Sequence, residues 1–240
     1  VNLKGRTALV TGGARRIGRA LCLALGEHGV SVAIHCHRSR EEADAVAREC
    51  PGSVVLEADL ARRGAPARLL DEAYEQLGNL DILVNNAAVY ESVQLPELDE
   101  ATWDRALAVN LTAPFLLARR AGLRMREAGS GAIVNLTDWA VARPYPRYLP
   151  YYASKAGLAA VTAGLARALA PEVRVNAVAP GPILLPEGAG DDDLRAAIER
   201  ATPLARLGGE GAVVSAVLFL LGNEFVTGET LTVDGGRSLQ

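Results

Sequence analysis

The sequence predicts an α/β fold, a doubly wound parallel sheet of about seven strands with helices on both faces. Three observations predict it. Short apolar runs alternate along the chain with longer amphipathic segments, as strands joined by crossover helices do. The first run passes through a glycine-rich turn into a helix, the arrangement that brings a backbone close to a dinucleotide. And 240 residues, half of them hydrophobic, suffice for one large core, since α/β folds of roughly 200–250 residues often form a single domain.

Residues 6–11 form the first strand, and the turn from Gly12 to Gly18 leads into a helix ending near Glu27. Glycines there admit a pyrophosphate, whose charge is stabilised by the free N–H groups and dipole of the helix start. Residues 30–34 give a second strand at the spacing of a βαβ unit. It runs into His35-Cys36-His37-Arg38-Ser39, with no carboxylate where an NAD site places one on the ribose. Arg38, helped by Ser39 and His37, suits a 2′-phosphate, and Ser39 also caps the next helix. A plain loop with one cap is the other reading.

A helix at 41–49, a strand at 53–57 ending in Ala58-Asp59-Leu60, a helix at Ala65–Leu77 and a strand at 81–84 continue the alternation. Asn85-Asn86-Ala87-Ala88 closes the fourth strand, capping strand ends beside room for a flat cofactor, or serving as an ordinary turn. Residues 99–126 read as helix in two segments, separated near Asn110 and interrupted at Pro114. Asn110, in apolar surroundings, either kinks the helix and holds a water or ends a helix. The fifth strand, 132–136, leads through Thr137 to Asp138 and a proline-stiffened loop, and Pro150 suits the first turn of a helix reaching about Leu169. Along that helix Ala153, Gly157, Ala160, Gly164 and Ala168 make a bare stripe, for a second subunit or for packing within the chain.

A sixth strand at 172–178 ends in Ala179-Pro180-Gly181-Pro182, and residues 182–206, rich in Pro, Gly and Asp, are expected to form a substrate lid with a short helix at Asp192–Arg200. Asp191-Asp192-Asp193 starts that helix rather than holding a metal, so no metal site is expected. A helix at 210–221 and a strand at Thr230–Val233 complete one dinucleotide-binding and catalytic domain, residues 1–240.

Net charge is −3, with no basic cluster, which gives no reason to expect nucleic acid or an anionic membrane as partner. The start lacks a signal-peptide pattern and no stretch approaches the ~18 apolar residues of a membrane span, so a cytoplasmic protein is expected. Cys22, Cys36 and Cys50 lack metal-ligand spacing and read as buried free thiols.

The chemistry centres on Tyr151-Tyr152-Ala153-Ser154-Lys155. Residues four apart on a helix share a face, so Tyr151 and Lys155 point into one space while Tyr152 points elsewhere. A nearby ammonium is expected to pull the Tyr151 pKa down from its usual ~10, making a proton donor. Lys occurs only at positions 4 and 155, every other one of the 25 basic residues being Arg. A compact ammonium with three donors does what a planar Arg fork does poorly, bonding a ribose hydroxyl beneath a phenol.

Taken together, Thr11-Gly12 through Gly18, Asn85-Asn86-Ala87, Tyr151 with Lys155, Pro180-Gly181 and Val233-Asp234-Gly235-Gly236 resemble the short-chain dehydrogenase/reductase family over nearly the whole chain. Arg16 in place of the turn's middle glycine, Asp138 in place of the usual catalytic Ser, and His37-Arg38-Ser39 resemble its pteridine reductase branch. The resemblance implies NADPH as cofactor, held by Gly12, Arg15, Arg16, Ile17, His37, Arg38, Ser39, Asp59, Leu60, Asn86, Ala87, Tyr151, Lys155, Pro180 and Gly181. It implies catalysis by Asp138, Tyr151 and Lys155, with Asn110 at the proton-relay position, and a pterin-like substrate against Arg16, Tyr90, Asp138 and Tyr151. Tyr90 stands where a Phe is usual and Ile183 where a polar residue is expected near the substrate. A homodimer or homotetramer, reduction of a pterin or dihydropterin, and a carbonyl reductase or non-catalytic dinucleotide sensor as rivals complete what it implies.

Overall fold

The computed structural model describes residues 2–186 and 192–240. Seven strands, β1 (Thr7–Val10), β2 (Ser31–Cys36), β3 (Val54–Glu57), β4 (Ile82–Asn85), β5 (Gly131–Leu136), β6 (Val173–Pro180) and β7 (Thr230–Val233), form one parallel sheet in the order β3-β2-β1-β4-β5-β6-β7. The central strands are mostly apolar because side chains alternate between two buried faces. Ala8, Val10, Val32, Ile34, Val84 and Val134 face the helices α1 (Arg16–Glu27), α2 (Arg40–Glu49) and α8 (Glu210–Gly222). Leu9, Ala33, Leu83, Ile133 and Val175 face α3 (Ala65–Leu77), α5 (Ala113–Glu127) and α6 (Leu149–Leu169). Strand order reverses between β1 and β4, which opens a crevice at their carboxyl ends.

Three expectations change. The stretch from Glu100 to Glu127 is continuous: α4 (Glu100–Leu107) passes through a π turn, Ala108–Thr112, directly into α5. Pro114 does not interrupt it: it is the second residue of α5, directly after the π turn, where the hydrogen-bond register has already shifted (Ala113 N–H to Ala108 O). Ser39 occupies the position before α2 but its hydroxyl caps nothing. Of the expected lid, 187–191 lies outside the described residues, Asp191 with it; α7 (Asp192–Arg200) begins at the second residue of the acidic triplet. Ile183 is 5% exposed and packs into the core beside α8. Gly208 and Gly209 donate to the carbonyls of Pro182 and Ile183 at 3.0 Å each, so the root of this segment is anchored rather than turned toward a ligand. Among the described residues no helix is long and apolar enough to cross a membrane, and no group of three metal-ligating side chains occurs.

Candidate active site

The carboxyl end of β5 and the start of α6 assemble the reactive groups. Asp138 follows β5 and opens a short 3-10 turn, so one carboxylate oxygen accepts from the N–H of Ala140 at 2.7 Å. The other accepts from the Tyr151 hydroxyl at 2.9 Å. One helical turn on, Lys155 is 2% exposed and donates to the carbonyl of Leu136 at 2.6 Å, with its Nζ 5.6 Å from the centre of the Tyr151 ring. Tyr151 and Lys155 thus share a face as their spacing requires.

The electrostatics run opposite to expectation at Tyr151. Burial, then the Asp138 charge and the hydrogen bond to it, push the phenol well above its usual 10 rather than below. Burial and the Asp138 charge outweigh the Lys155 ammonium, which donates to Leu136 O. Burial lowers Lys155 to about 8, with Asp138 opposing the shift. Burial raises Asp138 as well, although the Ala140 N–H, the Tyr151 hydroxyl and Lys155 pull it back. The arrangement holds a proton on Tyr151, directed at a carboxylate whose own proton affinity is raised.

Tyr90, 53% exposed on the loop after β4, is not a free platform. Its ring lies parallel to Tyr148, centroids 4.2 Å apart and planes within 4°, and meets Tyr151 edge-on at 4.6 Å. The loops carrying the pair are joined, Val93 N–H donating to Arg147 O at 2.9 Å and Arg147 Nε to Ser92 Oγ at 3.1 Å. Tyr152 does not point away. It is 5% exposed, packs edge-on against Tyr151 at 5.2 Å and bonds through its hydroxyl to Tyr90. Sequence reasoning missed Tyr148 and Tyr152; the signal was the run of tyrosines at 148, 151 and 152, one turn of helix apart. Asn110 is wholly buried in the π turn, and its amide clasps Val89, accepting from its N–H at 2.8 Å and donating to its carbonyl at 2.9 Å. Its side chain fixes the start of the Tyr90 loop.

The phosphate turn is built from close contacts. A side chain at Gly18 would collide with the carbonyl of Gly12. Gly12 itself has φ +64°, a conformation glycine adopts without penalty. Asn86 Nδ2 donates to Thr11 O at 2.9 Å and Gly12 O at 3.0 Å, while Thr11 Oγ1 accepts from the N–H groups of Asn86 and Ala87 at 2.9 and 3.0 Å. Asn86 therefore holds the turn with its side chain. Arg15 precedes α1 without capping it by its side chain, leaving the first N–H groups of the helix for an anion. Arg16 takes the left-handed φ of +52°, which costs a non-glycine residue about 1–2 kcal/mol, and donates to Leu185 O at 2.9 Å. Ile17 is half-buried against the core and Leu60 is buried.

At the far end of β2 and β3 a cavity of about 470 Å³ is lined by His37, Arg38, Ala58, Asp59 and, unforeseen from sequence, Arg62 and Arg68 of the segment leading into and along α3. Asp59 accepts from Ala61 N–H at 3.0 Å and faces Arg62 at 3.4 Å and His37 at 3.8 Å. Among the described residues Arg38 makes no ion pair. Gly181 follows β6 so tightly that a side chain there would meet Asp234. These features fit a dinucleotide bearing a 2′-phosphate: a glycine turn, an uncapped helix start, and Arg38, Arg62 and Arg68 around a cavity that Glu57, Asp59 and Glu72 also line, with no carboxylate on the segment right after β2.

A family model described as enoyl-(acyl carrier protein) reductase matches residues 12–238. The 3-oxoacyl-(acyl-carrier-protein) reductase FabG of Staphylococcus aureus strain Mu50 is 36% identical over 239 residues, covering 96% of this chain and 97% of that protein. Among solved structures, FolM alternative dihydrofolate reductase 1 from Brucella canis, complexed with NADP, is 36% identical with a TM-score of 0.92, covering 100% of this chain and 96% of that one. The angucycline C-6 ketoreductase LanV with bound NADP is 29% identical with a TM-score of 0.90, covering 100% and 98%.

Proposed function

Since the chain belongs to the short-chain dehydrogenase/reductase family, we propose that it is an NADPH-dependent reductase of a pterin, dihydropterin or dihydrofolate-type substrate. The observation that carries this reading is the 2.9 Å bond from Tyr151 to Asp138. A carbonyl reductase needs a neutral donor beside Tyr to hold the developing oxyanion, and an ionised carboxylate can only accept and repels it. A pterin reverses the requirement. Its 2-amino group and ring N–H offer donors to Asp138, and its ring nitrogens need protons.

NADPH supplies a hydride to a ring carbon of the C=N bond. The neighbouring ring nitrogen takes its proton from Tyr151, which Asp138 orients through their hydrogen bond. Lys155 fixes the end of β5 and presents its remaining N–H donors toward the cofactor ribose. Arg38, Ser39 and His37 hold the 2′-phosphate, and the N–H groups at the start of α1 hold the pyrophosphate, with Arg15 adding charge. Gly12, Ile17, Asp59, Leu60, Ala87, Pro180 and Gly181 form the cofactor's bed. Tyr90, with one face against Tyr148, would meet the substrate from its other side, and Arg16 joins the phosphate turn to Leu185, at the root of the segment that would serve as the lid. Ala153, Ala160, Gly164 and Ala168 are exposed on α6, which supports a homo-oligomer built on that helix.

A 3-oxoacyl reductase is the second reading, favoured by the FabG relatives. One assay separates them: NADPH oxidation with dihydrobiopterin, dihydrofolate and a 3-oxoacyl thioester, for wild type and Asp138→Ser. The pterin reading expects turnover of a dihydropterin by wild type and a loss of roughly 10–100-fold in Asp138→Ser, the size of a charge-assisted hydrogen bond. Turnover of the thioester alone refutes it.

A further inference from the structure

We propose that His35 is a positioning residue of the cofactor site: in its neutral form its ring ties the phosphate turn to the loop after β3, and cofactor affinity falls when the ring is protonated. The proposal rests on the dinucleotide reading of the site but not on the pterin.

His35 lies near the carboxyl end of β2, 2% exposed. Its Nδ1 is 3.1 Å from the backbone nitrogen of Gly12, and its Nε2 is 3.0 Å from the carbonyl of Ala58. A backbone N–H can only donate, so Nδ1 presents its lone pair; a carbonyl can only accept, so Nε2 carries the proton. The two partners fix the tautomer between them. The main chain adds a third tie, His35 O accepting from Gly13 N–H at 2.8 Å. One residue therefore takes the N–H groups of both Gly12 and Gly13, and its ring reaches the residue before Asp59. The phosphates are left to the N–H groups at the start of α1, whose height and direction His35 sets through the turn.

An imidazolium would place an N–H against the Gly12 N–H and lose that bond. The surroundings oppose it. Burial holds His35 below its ordinary 6.5, the Ala58 carbonyl working against this and His37 adding to it. Asp59 and Glu57 flank Ala58 in sequence, and Asp59 faces His37 at 3.8 Å. Neither carboxylate bonds the ring.

The test is NADP⁺ affinity of the full chain, by calorimetry from pH 5 to 7.5, since the oxidised cofactor survives acid. The cofactor's own 2′-phosphate responds to pH in every variant, so the comparison is between variants. His35→Asn offers a non-titrating acceptor near the Nδ1 position and is expected within about threefold of wild type at pH 7.5, with a shallower decline toward pH 5. His35→Gln reaches Ala58 but leaves Gly12 unpaired, and is expected about tenfold weaker at pH 7.5. Parallel declines in wild type and His35→Asn overturn the proposal. So does a wild-type ¹⁵N spectrum of the cofactor-free protein with the neutral-form proton on Nδ1, a readout that survives even where a variant does not fold. No NADP⁺ binding at any pH would instead defeat the dinucleotide reading, and the tautomer would still be read from the spectrum.

Discussion

Thr11→Val removes one oxygen and keeps the shape of the side chain, and its cost can be worked from three bonds. Thr11 is 2% exposed. Its hydroxyl oxygen accepts from the N–H groups of Asn86 and Ala87 at 2.9 and 3.0 Å and donates weakly to Val84 O at 3.4 Å. Valine leaves two N–H groups facing methyls. Each unpaired buried donor costs about 1–3 kcal/mol, so the substitution should cost about 2–6 kcal/mol, a large share of the ~5–15 kcal/mol that holds an ordinary domain. In urea unfolding followed by circular dichroism the midpoint should fall with the slope unchanged. In a thermal scan the loss is roughly 4–24 °C for a chain of this size. Thr11→Ser, which keeps the oxygen, should recover most of it. A Thr11→Val protein within about 0.5 kcal/mol of wild type, which is the ordinary range of a surface substitution, would refute the accounting.

Arg38→Ala should weaken NADPH at least tenfold and scarcely alter NADH, since a bond to a charged group contributes about 1.5–3 kcal/mol; equal wild-type affinity for both cofactors would contradict the assignment. Any step that needs the Lys155 ammonium should fail as pH rises through about 8, the value to which burial lowers it. In Asp138→Asn that limb of the pH–rate profile should move to lower pH, because the carboxylate that raises Lys155 is gone; an unmoved or higher limb would show the two are not coupled. The sign for stability is the reverse. A buried amine with a folded pKa below its unfolded value stabilises least where it is charged, so Lys155 favours the fold above about 10.5 and loses that contribution as pH falls to about 8.

The strands and most helices were legible because each carries its own signal: an apolar run buried on both faces, a proline in a first turn, a glycine turn. Boundaries moved by a residue or two. What local pattern does not encode is which partner a polar group finds. Asn110 looked like a break or a water site, and instead the π turn swings its amide onto Val89, a residue brought near by the fold of a preceding loop. Tyr151 and Lys155 share the expected face, yet the pKa of the phenol follows its burial and then Asp138, thirteen positions earlier, neither of which the local spacing encodes. Tyr152 was set aside on helical geometry, and its ring reaches around to the cluster all the same. His35 passed unnoticed beside Arg38, since its partners lie in the loops after two other strands.

The scarcity of lysine makes the proton inventory of this site directly observable. A protein labelled with nitrogen-15 at lysine side chains gives two Nζ resonances from residues 4 and 155, one on an exposed residue and one from an amine held against Leu136 O. Lys4→Arg assigns them without further labelling. The chemical shift of the buried amine then reports ligand arrival, neighbouring charge and its own ionisation in one spectrum, free of the overlap that many surface lysines would cause. A composition that exchanged lysine for arginine nearly everywhere has left the reactive amine spectroscopically almost alone.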